Sequence, residues 1–179
     1  MAQQDSTNGG NGSMQPDDEA QVTIVAQYIK DLSVENPSTP QVFQWQVQPH
    51  LDLQFNINVE TAAEDLHEVV LKMEVTARSE NGVHFVIDLS YAGLFAIRNA
   101  PGEALQPFLL IEAPRMLFPF VRQIIAEAVM NAGFPPLLLD PIDFAQAYMQ
   151  QVQAAQQQTP QQEQVEGDAE APQKEPQPQ

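Results

Sequence analysis

The stretch LDLQFNINVE, residues 51–60, alternates apolar and polar side chains at every position. A period of two predicts a β-strand with one buried and one solvent-facing side, because successive side chains of a strand point to opposite faces. The alternation returns over residues 69–77 and again over residues 85–91, after an Asn81-Gly82 dipeptide that is typical of a hairpin turn. This pattern alone therefore predicts three strands.

A fourth, earlier strand is predicted over residues 23–34, where the alternation is less regular. We expect one of its faces to carry Ala26, Tyr28, Lys30, Leu32 and Val34, and the other to carry Ile29, Asp31, Ser33 and Glu35. Four strands joined mostly by short links indicate an antiparallel sheet with one apolar and one polar face.

The hydrophobic spacing becomes helical from Ile111 onward. Pro119 should lie in the first turns of this helix or kink it, and Gly133 should end it, because glycine readily adopts the left-handed conformation that caps a helix. A proline-rich connecting loop, residues 134–141, follows, and a short second helix is predicted to start near Asp143. The predicted fold class is α+β: a four-stranded antiparallel sheet, the long helix, the connecting loop and the short helix.

Composition divides the 179 residues into one domain and two tails. Residues 1–19 have almost no apolar side chains and residues 151–179 are rich in Gln, Pro and Glu, so both tails are predicted to be disordered. Residues 20–150 form the predicted domain. The sequence has no cysteine, no apolar run of about 20 residues and no signal-like start, so we expect no disulfide, no direct membrane insertion and no secretory signal.

Charge narrows the classes of partner. The chain carries 24 Asp and Glu against 7 Lys and Arg, a formal net charge of −17. Such a surface repels phosphate backbones, so no nucleic acid is expected, and a charged partner should be basic. Asp31 and Glu35 on the first predicted strand, and Val86 and Asp88 on the fourth, face outward; that face is either simply solvated or a docking surface for a basic partner.

Two segments carry more apolar surface than one sheet can cover. The long predicted helix needs an apolar stripe only about 100° wide, yet it leaves only a narrow polar stripe. Either the second helix and the loop cover the excess within a monomer, or neighbouring subunits do so. The loop FPPLLLDP, residues 134–141, is either a buried connector or the wall of an apolar groove for extended peptides, since its prolines prevent a helix.

No catalytic motif is recognisable: the sequence has no glycine-rich phosphate loop, no nucleophile elbow and no zinc-type histidine pair. His50, His67 and His84 are expected on separate strands or strand ends, where a lone histidine is ordinarily solvated. An enzyme using scattered carboxylates remains an alternative, but these observations favour a protein that is not an enzyme and uses neither metal nor cofactor.

Six blocks of the sequence resemble, in order, the SecB-type protein-export chaperones of bacteria: YIKDLSVENP, PQVF, HEVVLKMEVTA, AGLFAI, LFPFVRQII and GFPPLLLDPIDF. The resemblance implies the fold predicted above, assembled as a homotetramer that is a dimer of dimers. It also implies an ATP-independent chaperone, or holdase, that binds unfolded precursor proteins in the cytoplasm and delivers them to the SecA translocase ATPase. The alternative is an acidic scaffold or adaptor that docks basic partners without chaperone activity.

The resemblance also assigns residues by position to two sites. SecA would bind at Asp31, Glu35, Val86 and Asp88, which we call the acidic patch. The predicted client-binding groove draws on Phe43, Trp45, Phe95, Phe118, Phe120, Phe134, Leu137, Leu139, Phe144 and Tyr148. The sequence departs from the family pattern at His67, Tyr91, Ala92 and Asp140, the last of which places a charge near the groove.

Overall fold

The computed structural model describes residues 20–157, and the predicted tail 1–19 lies outside this range, as does most of the tail predicted from residue 151. Four strands form one sheet: β1 Gln21–Glu35, β2 His50–Ala63, β3 Leu66–Ser79 and β4 Gly82–Arg98. Their order across the sheet is β1-β4-β3-β2, and every neighbouring pair is antiparallel. The four-stranded antiparallel sheet predicted from the alternation is confirmed.

The long helical segment begins earlier than the sequence predicted. A short helix α1, Gly102–Pro107, runs through a π-helical turn, Phe108–Glu112, into helix α2, Ala113–Asn131. Helical structure thus starts nine residues before Ile111. Prolines obscured this start in the sequence, because Pro101 precedes α1 and Pro107 ends it where the π-helical turn takes over. Pro119 lies inside α2, and the helix ends before Gly133 as predicted.

Helix α2 packs on β4 and β3 and closes the hydrophobic core between the helix and one face of the sheet. Odd-numbered residues of β4, such as Ile87 and Leu89, are fully buried on this core face. Gly93 lies on the same face, and a Cβ there would come within 2.8 Å of the Leu117 side chain. The even-numbered residues of β4 from Val86 onward therefore define the opposite, outer face of the sheet.

Helix α3, Phe144–Gln157, starts one residue after the predicted position. Asp143 Oδ1 accepts a hydrogen bond from the backbone N–H of Gln146 at 3.0 Å, which satisfies a free donor of the first turn. The Phe144 ring is buried in edge-to-face contact with Phe118 at 5.9 Å and Phe55 at 5.8 Å. The helix continues to Gln157, beyond the domain end predicted at residue 150, because its Gln and Ala residues are good helix formers despite their tail-like composition.

A β-bulge at Lys30 corrects the predicted faces of β1. The register pairs Ile29 with Tyr91 and then Asp31 with Ser90, so Lys30 is an extra residue and the alternation changes phase there. Ile29 therefore lies on the core face beside buried Tyr91, not with Asp31 as predicted. A second irregularity, at Val25, sits between the pairs of Ile24 and Ala26. Ala26 and Tyr28 consequently lie on the outer face, apart from Leu32 and Val34.

Candidate functional site: an acidic patch and an aromatic pocket

The four residues of the acidic patch lie together on the outer face. Glu35 is directly opposite Val86 across β1 and β4, and Asp88 is opposite Ser33. Asp31 is opposite Ser90, the next outward position beyond Asp88. The bulge at Lys30 produces this arrangement, because the phase it sets turns Asp31, Ser33 and Glu35 outward together.

A lysine neutralises part of this surface. Lys72 of β3 places its Nζ 2.9 Å from Glu74 Oε1 and 3.1 Å from Asp88 Oδ2. The hydrogen bond to Glu74, followed by the one to Asp88, raises the pKa of Lys72. The second carboxylate oxygen of Asp88, Oδ1, is buried and has no hydrogen-bond partner among the described residues. Asp88 is thus held by one contact, to Lys72.

A second charged cluster lies farther along the outer face. Glu68 accepts a hydrogen bond from the Tyr28 hydroxyl and an ion pair from Lys30 Nζ at 2.5 Å. Its side chain is 12% exposed, and the hydrogen bonds from Lys30 and Tyr28 lower its pKa. This cluster ties Tyr28 and the bulge residue Lys30 of β1 to Glu68 of β3.

An aromatic pocket of about 490 Å³ opens at one end of the core face. Rings and aliphatic groups from four parts of the chain line it, among them Phe43, Trp45, His84, Phe85, Phe134 and Leu137. The Phe134 ring is its centre, with centroids 5.6 Å from Phe43 and 5.1 Å from Phe85. The connecting loop therefore forms a wall of a pocket. The sequence allowed this alternative as well as a buried connector.

His84 belongs to this pocket, contrary to the prediction that the histidines are solvated. It is the extra residue of a bulge, since Ala77 pairs with Phe85 and Arg78 with Val83, so His84 and Phe85 both line the pocket. The His84 ring lies edge-on to Trp45 at 5.0 Å, its Nε2 is 2.9 Å from Ser79 Oγ, and burial lowers its pKa. His67 is also buried, with Nδ1 3.3 Å from Thr61 Oγ1, whereas His50 is exposed.

The strand that carries Glu35 is tied to the end of α2. Asn36, the next residue, donates a hydrogen bond from Nδ2 to the carbonyl of Ala132 at 2.9 Å. The last carbonyls of a helix have no hydrogen-bond donor within the helix, and Asn36 supplies a donor to the carbonyl of Ala132. Gly133 follows with φ +92°, and a Cβ built on it would be 3.0 Å from the Phe43 ring.

Two further pockets lie beside the connecting loop and helix α3. One of about 410 Å³, between β2 and the loop, is lined by Leu53, Phe55, Leu137, Leu139 and Asp140 among others. Tyr148 lines a smaller one of about 210 Å³ between α3 and β2. Phe120 lies elsewhere, on α2, 44% exposed and stacked on Tyr91 with ring centroids 6.0 Å apart.

Four predicted groove residues belong to the hydrophobic core, among them Leu139, which is 5% exposed. Phe95 is fully buried against Phe108, while Phe118 and Phe144 pack on each other and are 6% and 1% exposed. Side chains with so little accessible surface offer almost none to a client in this arrangement, and their part in client binding stays a prediction. Sequence reasoning could not separate these rings from the exposed ones, because helical and alternating patterns mark apolar positions without telling which become covered.

Several pocket residues were missed by the sequence reasoning. His84 and Phe85 enter the pocket through a bulge that has no signal in the sequence, and Val42 and Val129 lie beneath the rings. Within residues 20–157, no group of three His, Cys, Asp or Glu side chains is arranged to hold a metal ion. No helix in that part of the chain is both long enough and apolar enough to cross a membrane.

One fold therefore carries two unlike surfaces, an acidic patch on the outer face and an aromatic pocket on the core face, a combination typical of proteins that bind other chains. Residues 15–155 match the family SecB, described as "Preprotein translocase subunit SecB". The chain belongs to the SecB family of protein-export proteins.

Named relatives agree with this assignment. The chain is 59% identical over 133 residues to the protein-export protein SecB of Zymomonas mobilis, and the aligned region covers 74% of this chain and 81% of the relative. It is 52% identical over 159 residues to that of Sphingopyxis alaskensis, spanning 87% and 92%. A Mycobacterium tuberculosis SecB-like chaperone, solved with a ChAD peptide from the HigA1 antitoxin, shares the fold with a TM-score of 0.56 at 16% identity over 68% of this chain and 90% of that one.

Proposed function

We propose that this protein is an ATP-independent export chaperone, a holdase that binds unfolded precursor proteins in the cytoplasm, keeps them translocation-competent and delivers them to SecA. The observation that carries the proposal is the aromatic pocket in a chain of the SecB family. A binder of the unfolded chain shifts its client away from folding by mass action, so the activity requires neither a catalytic group nor a cofactor.

The aromatic pocket suits apolar segments of an unfolded chain. Its rings lie at tilted or edge-on angles, and its loop wall is built from prolines that leave few backbone donors to satisfy. The pocket beside Leu53 and Phe55 lies along β2, and both pockets share Leu137. An extended client could occupy the two in succession, which would add avidity without a new contact type.

The acidic patch is the proposed docking site for SecA. Asp31, Glu35 and Asp88 supply the negative charge and Val86 a central apolar contact, on the face opposite the aromatic pocket. Complementary charge mainly raises the association rate and selects the partner. The separation of the two surfaces lets the protein hold a client and SecA at the same time.

The oligomeric state is part of the proposal: a homotetramer that is a dimer of dimers. Its support is the core-face row of the edge strand β1, where Ile24, Ile29, Leu32 and Val34 are 39% to 47% exposed. Phe120 of α2 continues this apolar surface beside Tyr91. A second copy covering these residues would remove from water several side chains at about 1.5–3 kcal/mol each. The solution mass of the full chain tests this directly.

The activity is tested by the refolding of a precursor protein without nucleotide. The purified chain should delay refolding, and Phe134→Ala with Leu137→Ala should shorten the delay several-fold, while Met130→Ala, an exposed apolar control on α2, should not. Asp31→Lys with Glu35→Lys should abolish SecA binding and leave the delay unchanged. A chain that binds a basic partner but never delays refolding would instead favour the acidic scaffold.

A further inference from the structure

The acidic patch and the aromatic pocket meet at one place in the fold. Glu35 and Val86 are opposite each other in the patch. The residue next to Val86 in sequence lines the pocket, and the residue next to Glu35 binds the chain just ahead of the loop wall. Phe85, before Val86, lies 5.1 Å from the Phe134 ring. Asn36, after Glu35, holds the carbonyl of Ala132, two residues before Phe134. Two strand ends thus present one side to the proposed SecA site and the other to the proposed client site.

We propose that Asn36 is the positioning residue that couples the two sites, so that docking at Glu35 loosens the loop wall of the aromatic pocket. The inference rests on the proposed function and concerns its regulation. Asn36 does not contact the client or SecA; it acts through Ala132 and the loop that follows. Its side chain, directly after β1, donates a hydrogen bond to the end of α2.

The Asn36 contact is suited to being broken. Nδ2 donates to Ala132, but Oδ1 is buried with no hydrogen-bond partner among the described residues. A buried acceptor without a donor costs free energy. One hydrogen bond therefore holds the side chain, while any movement that brings Oδ1 a donor would lower the free energy. Gly133, in its left-handed conformation against Phe43, gives the chain a pivot directly after Ala132.

The coupling has a defined direction. With the bond formed, the Phe134 ring of the loop packs on Phe43 at 5.6 Å, and this is the state that we assign to client binding. SecA drawing Glu35 outward would move Asn36 away from Ala132 and release the loop. Because linkage is reciprocal, the state without the bond must then bind SecA more tightly and client more weakly. A simple loss of folded structure would weaken both.

The test compares Asn36→Ala with wild type in the full chain, using SecA and a fluorescein-labelled peptide of alternating phenylalanine and serine as probes. Wild-type affinity for the peptide should fall on the order of tenfold at saturating SecA. Asn36→Ala should bind the peptide about as weakly as SecA-saturated wild type, and should bind SecA several-fold more tightly than wild type does. In this variant, saturating SecA should cause almost no further change in peptide affinity. Asn58→Ala, an exposed asparagine of β2, is the matched control and should behave as wild type.

The outcomes separate this inference from the function on which it rests. Wild type that binds both probes with tenfold coupling, together with Asn36→Ala that keeps the coupling, overturns the role of Asn36 alone. Asn36→Ala that weakens both affinities equally also overturns it, since that is the result of general destabilisation. Wild type that binds neither probe overturns the proposed function and the inference together.

Discussion

Lys72 and Asp88 form an ion pair across β3 and β4, with Nζ 3.1 Å from Oδ2, inside the surface proposed to dock SecA. Glu74, directly opposite Asp88, shares the same lysine at 2.9 Å. The protein therefore supplies its own cation to the acidic patch, and a basic partner must compete with it.

Replacing this cation should strengthen docking. Lys72→Met removes one positive charge from the patch, so SecA should associate several-fold faster at low ionic strength, with the gain disappearing as salt screens it. Association rates measured across a salt series check this. Arg98→Met is the control, because it removes the same charge from the far end of β4. Equal gains for the two variants would mean that only net charge matters.

His84 should make stability depend on pH. Burial lowers its pKa below the ordinary 6.5, so below about pH 6.5 the unfolded chain binds a proton that the folded chain resists. The free energy of unfolding should therefore fall as the pH is lowered from 6.5 toward the folded-state pKa of His84. Urea unfolding at a series of pH values measures it. His84→Phe should flatten this part of the curve, whereas His50→Phe, at an exposed position, should leave it unchanged.

Glu68 should stabilise the sheet in its charged form. Lys30 and Tyr28 lower its pKa, so the stabilisation is complete above about pH 4.5 and is lost as the pH falls through the lowered value. Glu68→Gln should thus reduce stability at neutral pH and remove that acid dependence. Glu80→Gln, at an exposed position of the turn between β3 and β4, is the control and should leave stability almost unchanged. A loss of stability in both variants would refute this assignment.

Gly93 should be intolerant of a side chain. Its Cβ would lie 2.7 Å from Phe95 and 2.8 Å from Leu117, so Gly93→Ala forces both to shift and should cost about 1–3 kcal/mol of unfolding free energy. Gly102→Ala provides the comparison, because no atom lies within 4 Å of its added Cβ. Chemical denaturation of the two variants gives the difference, and equal stabilities would contradict the tight packing of α2 on β4.

The sequence predicted what depends on regular periodicity and missed what depends on irregularity. The alternation from Leu51 to Glu60 was long enough to define β2, and the spacing of α2 defined its end at Gly133. The bulges at Lys30 and His84 have no sequence signal, since an extra residue in a strand is indistinguishable from ordinary alternation until the partner strand fixes the register. Those two positions account for the mistaken faces of β1 and the missed pocket histidine.

The candidate sites divide in the same way. Asp31, Glu35, Val86 and Asp88 were assigned through the family resemblance, and the structure gathers them on one face, while their role in docking stays a prediction. Phe95, Phe118, Leu139 and Phe144 were assigned by the same route and lie in the core. Asn36 gave no signal at all, because its importance depends on the carbonyl of Ala132, 96 residues away.

The single additional residue at Lys30 has a consequence for how this protein can vary. Before Lys30, the odd-numbered residues Gln27 and Ile29 of β1 face the core. After Lys30, the even-numbered residues Leu32 and Val34 do so. Deleting that one residue would exchange the charged and apolar faces over half the strand. Most substitutions there would leave each side chain on its present face. Homologous sequences should accordingly tolerate substitutions in this segment far more readily than insertions or deletions.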